Sequence, residues 1–274
     1  MNIFIVGARR SGNTILRDVL ATNNKFDCYS EPLRKGEGKN TIHLRKLLKV
    51  RAKFLASIGK VGADHRILHF GAPGKPKDEV LSKLPDLHMK YLKFLTQQSE
   101  HTLLKLVRVS FTVKKLLKAV PDAKLLHIIR DPRRFVASHI YGIKYGRKLD
   151  FFGKPSGNRW SQIKFFNIIA KKHHKYAKYT KARTYMKLLL MWKIINGAIE
   201  ADGKRFGDNY IKIRHEDLCD STQGCLSRIY DFIGLQCPQE TRNWAKENIR
   251  VPRPVENVSD PRWNKAYKLL GITY

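Results

Sequence analysis

Gly7, Gly12 and Thr14 lie in the stretch GARRSGNT, directly after the apolar run Ile3–Val6 and before a helix-like segment. That layout suits a phosphate cradle. Successive backbone N–H groups and a helix N-terminus attract phosphate oxygens. The two glycines let the backbone turn sharply and approach the ligand. Ser11, Asn13 and Thr14 add side-chain donors. The usual triphosphate loop reads G-x-x-x-x-G-K-[ST], and here Asn13 stands where its lysine would be. That lysine reaches the β and γ phosphates, so a standard ATPase or GTPase is disfavoured. Arg9 and Arg10 place cations inside the loop instead. A guanidinium fork suits a bridging oxygen and its neighbours.

A second stretch, AKLLHIIRDPRRFVASHIYG, has the same strand–loop–helix logic. Arg130 follows the strand-like run Lys124–Ile129, Asp131 is a good N-cap, and Pro132 suits the first helical position. Ser138 falls about two turns into that helix. Arg130 and Ser138 bind one anion only if the chain bends back over the helix start or the anion lies along its side. Arginine–phosphate pairing is strong; the alternative is Arg130 paired with Asp131 or another carboxylate. LLKLVRVS adds Lys105 and Arg108 at another strand end. Glu216-Asp217 reads as a structural network that fixes the following helix, rather than as an acid–base pair.

The elements that must position these groups follow from the apolar pattern. Strand-like runs occur at Ile3–Val6, Ile67–Phe70, Leu103–Val107, Leu125–Ile129 and Tyr210–Ile213. Near-continuously apolar strands alternating with helices indicate a parallel sheet covered on both faces. Arg183–Glu200 has helical spacing through Leu188, Leu189, Met191, Trp192, Ile195 and Ala198. Ser221–Ile233 reads as another helix, with Gly234 as its stop. With no internal repeat or long linker, residues 1–274 read as a single α/β domain.

Charge narrows the partner. Lys and Arg number 54 against 23 Asp and Glu, a formal net charge of +31. Such an excess repels itself and suits an acidic partner. Two regions are basic and weakly periodic, Leu33–Lys60 and Lys171–Lys187; in the second, tyrosines interleave with lysines. That pattern fits either a track for an anionic polymer or a solvated helix face. No run of about 18 apolar residues exists, so no transmembrane segment is expected, nor is a signal peptide. Cys28, Cys219, Cys225 and Cys237 form no C-x-x-C pair, which disfavours zinc. Cys219 and Cys225 read either as a short disulfide loop or as buried thiols.

Together, RRSGNT and RDPRRFVAS resemble the sulfotransferase family, which uses 3′-phosphoadenosine 5′-phosphosulfate (PAPS). The first is similar to that family's 5′-phosphosulfate loop and the second to its 3′-phosphate motif, with Arg and Ser eight positions apart. A third stretch, IKIRHEDLCDSTQGCLSRIYDFIGL, is similar to the family's RYEDL…FLGL segment. The resemblance covers roughly Asn2–Leu235 and implies a P-loop-containing sulfotransferase-like fold, a central parallel sheet flanked by helices. CYSEPL places Glu31-Pro32 where carbohydrate sulfotransferases have a Glu-Pro. The related tyrosylprotein sulfotransferases have the glutamate without that proline. The phenol and steroid enzymes usually carry a lysine at the Arg10 position and a histidine after the third strand; here LLKLVRVS has none.

The resemblance implies a catalytic set of Glu31 as base, Arg10 and Lys105. It implies donor binding by Arg9, Arg10, Ser11, Gly12, Asn13, Thr14, Arg130 and Ser138. From a C-terminal loop it adds Ser259, Arg262 and Trp263; the alternative is a docking tail with Trp263 in the core. Arg108 joins Glu31 on the acceptor side, or stays a surface residue. No metal is expected, because arginine and lysine supply the positive charge. The expected reaction is sulfuryl transfer from PAPS, leaving 3′,5′-adenosine bisphosphate, to a hydroxyl or amine of a polysaccharide or glycosaminoglycan. The alternatives are a tyrosylprotein sulfotransferase, a P-loop small-molecule kinase and a non-catalytic polyanion-binding protein. The expected partner is an anionic polysaccharide rather than a specific nucleic acid. The expected location is the Golgi lumen for a catalytic domain cut from a longer chain, and the cytoplasm otherwise.

Overall fold

The computed structural model describes residues 1–34, 42–70, 77–80, 84–141, 160–251 and 259–274. Among them are five strands: β1 (Asn2–Val6), β2 (Asp27–Ser30), β3 (Thr102–Lys105), β4 (Lys124–Ile129) and β5 (Tyr210–Arg214). All neighbours pair in parallel, in the order β2-β3-β1-β4-β5. The central strands are mostly apolar because both of their faces are covered. Ile3 and Ile5 point to one face with Leu103, Leu126 and Ile128. Phe4 and Val6 point to the other with Leu104, Leu125 and Ile129.

Helices α1 (Asn13–Leu20), α9 (His215–Asp220), α10 (Thr222–Ile233) and α11 (Gln239–Asn248) cover the first face. The second is covered by α2 (Ile42–Ser57), α4 (Asp86–Leu95), α5 (Val113–Ala119), α6 (Pro132–Tyr141), α7 (Trp160–Lys172), α8 (Thr184–Gly203) and α12 (Pro261–Leu270). The short α3 (Lys77–Val80) packs on α7. The helices expected at Arg183–Glu200 and Ser221–Ile233 are α8 and α10. Gly234 ends α10 in the left-handed conformation, φ 74°.

Two strand expectations need correction. Residues 65–68 form a 3₁₀ turn, not a strand, because Asp64 caps it by accepting from the Arg66 N–H at 2.8 Å. The second strand is instead Asp27–Ser30. It escapes an apolar search because it lies at the sheet edge and fully buries only Tyr29. The basic stretch Leu33–Lys60 contains α2, and Lys171–Lys187 spans the end of α7, a 3₁₀ helix at His174–Tyr179 and the start of α8. All four cysteines are free thiols, so the Cys219–Cys225 disulfide does not form. Among the described residues, no helix is long and apolar enough to cross a membrane.

A parallel sheet gathers all its carboxyl ends at one edge. Gly7, Glu31, Leu106, Arg130 and His215 therefore begin their loops side by side. The strand order also reverses around β1, which opens a crevice beyond these ends.

Candidate active site

The loop after β1 is shaped by close packing. A Cβ on Gly7 would stand 2.4 Å from the Ile128 carbonyl oxygen, and one on Gly12 would stand 2.2 Å from His215 Cδ2. Gly12 has φ 97° and Arg10 has φ 72°. The left-handed Arg10 turns the two arginines of the loop in opposite directions. Asn13 ties the loop together, donating from Nδ2 to the Ala8 carbonyl at 2.8 Å. Ser11 is fully buried, and its Oγ has no partner among the described residues. A buried hydroxyl without a partner is uncommon, and a ligand oxygen at this loop would satisfy it. The cradle therefore fits a phosphate or phosphosulfate.

Arg10 faces the second motif. Its Nε donates to Ser138 Oγ at 2.9 Å, and Arg130 Nη1 donates to the Arg10 carbonyl at 3.0 Å. Arg10 thus supplies the link that Arg130 and Ser138 needed to meet. Asp131 caps α6 by accepting from the Arg133 N–H at 2.7 Å, and it pairs with the Arg133 guanidinium at 2.6 Å. Its carboxylate is therefore held by Arg133. Three supports lay outside the expected set. Trp192 Nε1 donates to the Arg130 carbonyl at 2.7 Å. Glu216 Oε1 accepts from the Asp131 N–H at 3.1 Å. Tyr274 donates to Glu216 and stacks on the Arg214 guanidinium, 4.7 Å from the ring centroid. Beneath them, burial holds the His139 and His215 imidazoles down at about 3, so both stay neutral.

A second cluster at the same edge is built around Glu31, whose side chain is 12% exposed. Its Oε1 lies 3.7 Å from Lys105 Nζ and accepts from the Val107 N–H at 3.3 Å. Lys105 also donates to Thr14 Oγ1 at 3.2 Å, which connects the carboxylate to the phosphate loop. Burial pushes the Glu31 carboxyl above its usual range, against the pull of Lys105, the Val107 N–H, Arg108 and Arg9. Burial likewise lowers the Lys105 ammonium, against the pull of Glu31. Glu31 sits at φ 51°, a costly conformation for a non-glycine residue. Arg51 helps hold the turn. Fully buried on α2, it donates from Nη2 to the carbonyls of Pro32 at 2.8 Å and Arg34 at 2.6 Å.

Arg9 goes the other way from Arg10. Its Nη2 pairs with Glu79 Oε2 at 2.6 Å, and its guanidinium lies 5.6 Å from the Phe165 ring centroid. Arg9 is thus paired with a buried carboxylate on α3. Arg108 is buried too, and its Nη1 has no partner among the described residues. It is not a surface residue. A small cleft beside these groups is lined by Arg9, Glu79, Val107, Phe135, Phe165 and Met191. Sequence reasoning missed Glu79, Arg51 and Trp192, which sit in none of the three motifs.

The C-terminal expectations fare differently. Trp263 is fully buried, packed edge-on against Tyr185 with ring centroids 5.8 Å apart. It is a core residue with no face to offer a nucleotide. Arg262 folds back on its own helix cap, donating to Asp260 at 2.7 and 2.9 Å. Ser259 is exposed in the turn before α12.

A parallel sheet with a glycine cradle after its first strand and an arginine–serine pair after its fourth defines a P-loop-like α/β transferase. The Sulfotransferase family model matches residues 2–239. The chain belongs to the sulfotransferase family and has the P-loop-containing α/β fold of that family. Among solved structures, it is similar to sulfotransferase STF1 from Mycobacterium tuberculosis H37Rv, at 15% identity and a TM-score of 0.51, over 99% of this chain and 76% of that one. It is equally similar to the sulfotransferase domain from the curacin biosynthetic pathway, at 15% identity and a TM-score of 0.51, over 99% of this chain and 98% of that one. No curated protein sequence matches it.

Proposed function

We propose that the acceptor is a hydroxyl of an anionic polysaccharide and that Glu31 takes its proton. The observation that carries this reading is the chain of contacts Glu31–Lys105–Thr14. It joins a buried carboxylate to the phosphate loop at the sheet's carboxyl edge. When bound, PAPS supplies an activated sulfuryl group on its 5′-phosphate. The loop amides, Ser11 and Arg10 hold the 5′ end, while Arg130 and Ser138 hold the 3′-phosphate. Lys105 places a cation where charge develops during an in-line displacement, and such fixed charges do most of the work in this chemistry. Glu31, raised by burial yet held by Lys105, suits a base that works near neutral pH. Arg108, with an unpartnered nitrogen in a buried setting, suits a carboxylate or sulfate on the acceptor. The Glu-Pro at 31–32 supports a carbohydrate acceptor over a tyrosyl peptide, as in the Golgi-type enzymes.

The test is transfer of labelled sulfate from PAPS to a panel of polysaccharides, tyrosyl peptides and amino sugars, with ATP and magnesium as the kinase control. Polysaccharide labelling that disappears in Glu31→Gln supports the reading. Labelling of tyrosyl peptides alone, or full activity in Glu31→Gln, refutes it.

A further inference from the structure

Lys172, Lys175, Lys178 and Lys181 recur at every third position, from the end of α7 through the 3₁₀ helix His174–Tyr179. A 3₁₀ helix has three residues per turn and rises about 2 Å per residue, so side chains three apart eclipse at about 6 Å. Lys175 and Lys178 therefore share one face, and all four lysines are exposed. Tyr176 and Tyr179 share the adjacent face and pack, half-buried, on the core below. Lys175 Nζ lies 5.1 Å from the Tyr176 ring centroid, and Lys178 Nζ lies 5.3 Å from that of Tyr179. The short helix thus sorts an interleaved sequence into a cationic ridge on an aromatic footing.

Nothing acidic offsets this ridge locally. No Asp or Glu occurs from Phe151 through Ile199. Among the described residues, none of the four lysines is in an ion pair. One end of the ridge is tied to the helix that carries Glu79. Lys172 Nζ donates to the Val80 carbonyl at 2.6 Å, and the preceding residue, Glu79, holds Arg9 of the phosphate loop.

We propose that this lysine ridge is a docking track for the anionic polysaccharide, lying outside the reaction centre and leading its chain towards Glu31. The inference rests on the acceptor class proposed above and assigns it a second contact surface. A row of like charges that repel one another favours a polyanion laid along it. Ammonium groups grip sulfates and carboxylates as point charges, without demanding a base edge. Single-stranded nucleic acid binding needs open aromatic faces for stacking; here the core and the lysines cover the tyrosines.

The test is a double charge reversal, Lys175→Glu with Lys178→Glu, in the full chain. Heparin is titrated as the probe at low and physiological salt, with duplex DNA and 3′,5′-adenosine bisphosphate in parallel. The expected result is about tenfold weaker heparin binding with a shallower salt dependence, and unchanged adenosine bisphosphate affinity. The milder pair Lys175→Gln with Lys178→Gln should give an intermediate loss, and Lys175→Arg with Lys178→Arg should restore binding. Unchanged heparin affinity overturns the proposal. So does duplex DNA that binds the native protein as tightly as heparin and loses as much on reversal. Failure of the native protein to bind adenosine bisphosphate would instead count against the assigned donor site, and it is read in a separate arm.

Discussion

The proposed donor side and the proposed acceptor side of the crevice are built from the same edge of one sheet, yet by different means. On the donor side, Arg10 and Arg130 meet neutral groups, Ser138 Oγ and the Arg10 carbonyl. Their supports come from rigid strand–helix junctions, and the imidazoles beneath are held neutral. On the acceptor side, Glu31 and Glu79 are buried among Lys105, Arg9 and Arg108, and every charge depends on another. A site that must hold the same nucleotide each time needs fixed hydrogen-bond geometry. A site that must accept a proton needs a carboxyl whose affinity for it is set by its neighbours.

Substitutions separate the two sides. Glu31→Gln should lower kcat by about 10²–10⁴-fold, the usual contribution of a general base, with adenosine bisphosphate binding unchanged by calorimetry. Arg130→Ala should do the reverse and weaken adenosine bisphosphate by roughly 10–100-fold, the size expected for losing a charge-assisted bond. If both variants affect binding and turnover alike, the division fails.

Acidity sharpens it further. kcat/KM should rise with pH as Glu31 loses its proton, at a pH above the ordinary carboxylate range, and fall at high pH as Lys105 discharges below the ordinary lysine range. Stability should follow the other side. His127, His139 and His215 are lowered from 6.5 to about 4, 3 and 3. Their neutral forms contribute stability above 6.5, and it is lost as pH falls, because the unfolded chain binds those protons first. The melting temperature should therefore drop below about pH 6.5. The smallest effect is expected from Glu79→Gln. It removes a negative neighbour of Glu31 and should move the acid limb of kcat/KM to lower pH by about half a unit. A limb that stays in place would make Glu79 a purely structural partner of Arg9.

The two strand–loop–helix junctions proposed for the donor were legible in the sequence because their parts are local. Gly7–Thr14 and Arg130–Ser138 each follow one strand within a few residues, so spacing alone carries the geometry. Direction did not follow from spacing. That Arg9 and Arg10 part company depends on φ 72° at Arg10 and on Glu79, a residue 70 positions away. Arg51 was hidden in the basic stretch Leu33–Lys60, because nothing in a sequence tells a buried guanidinium bound to carbonyls from an exposed one. The edge strand β2 was missed for lack of an apolar run, and Ile67–Phe70 was misread because so short an apolar-leaning run cannot distinguish a strand from a turn. Trp263 went to the core because its partner Tyr185 lies on α8.

The position of β2 has a consequence for how such an enzyme diversifies. The proposed donor contacts come from the loops after β1 and β4, which sit inside the sheet, whereas Glu31 comes from the end of an edge strand. Changes to that rim, and to the helices stacked beside it, leave the nucleotide-holding centre intact. One inherited engine can then be refitted for new acceptors by editing its margin.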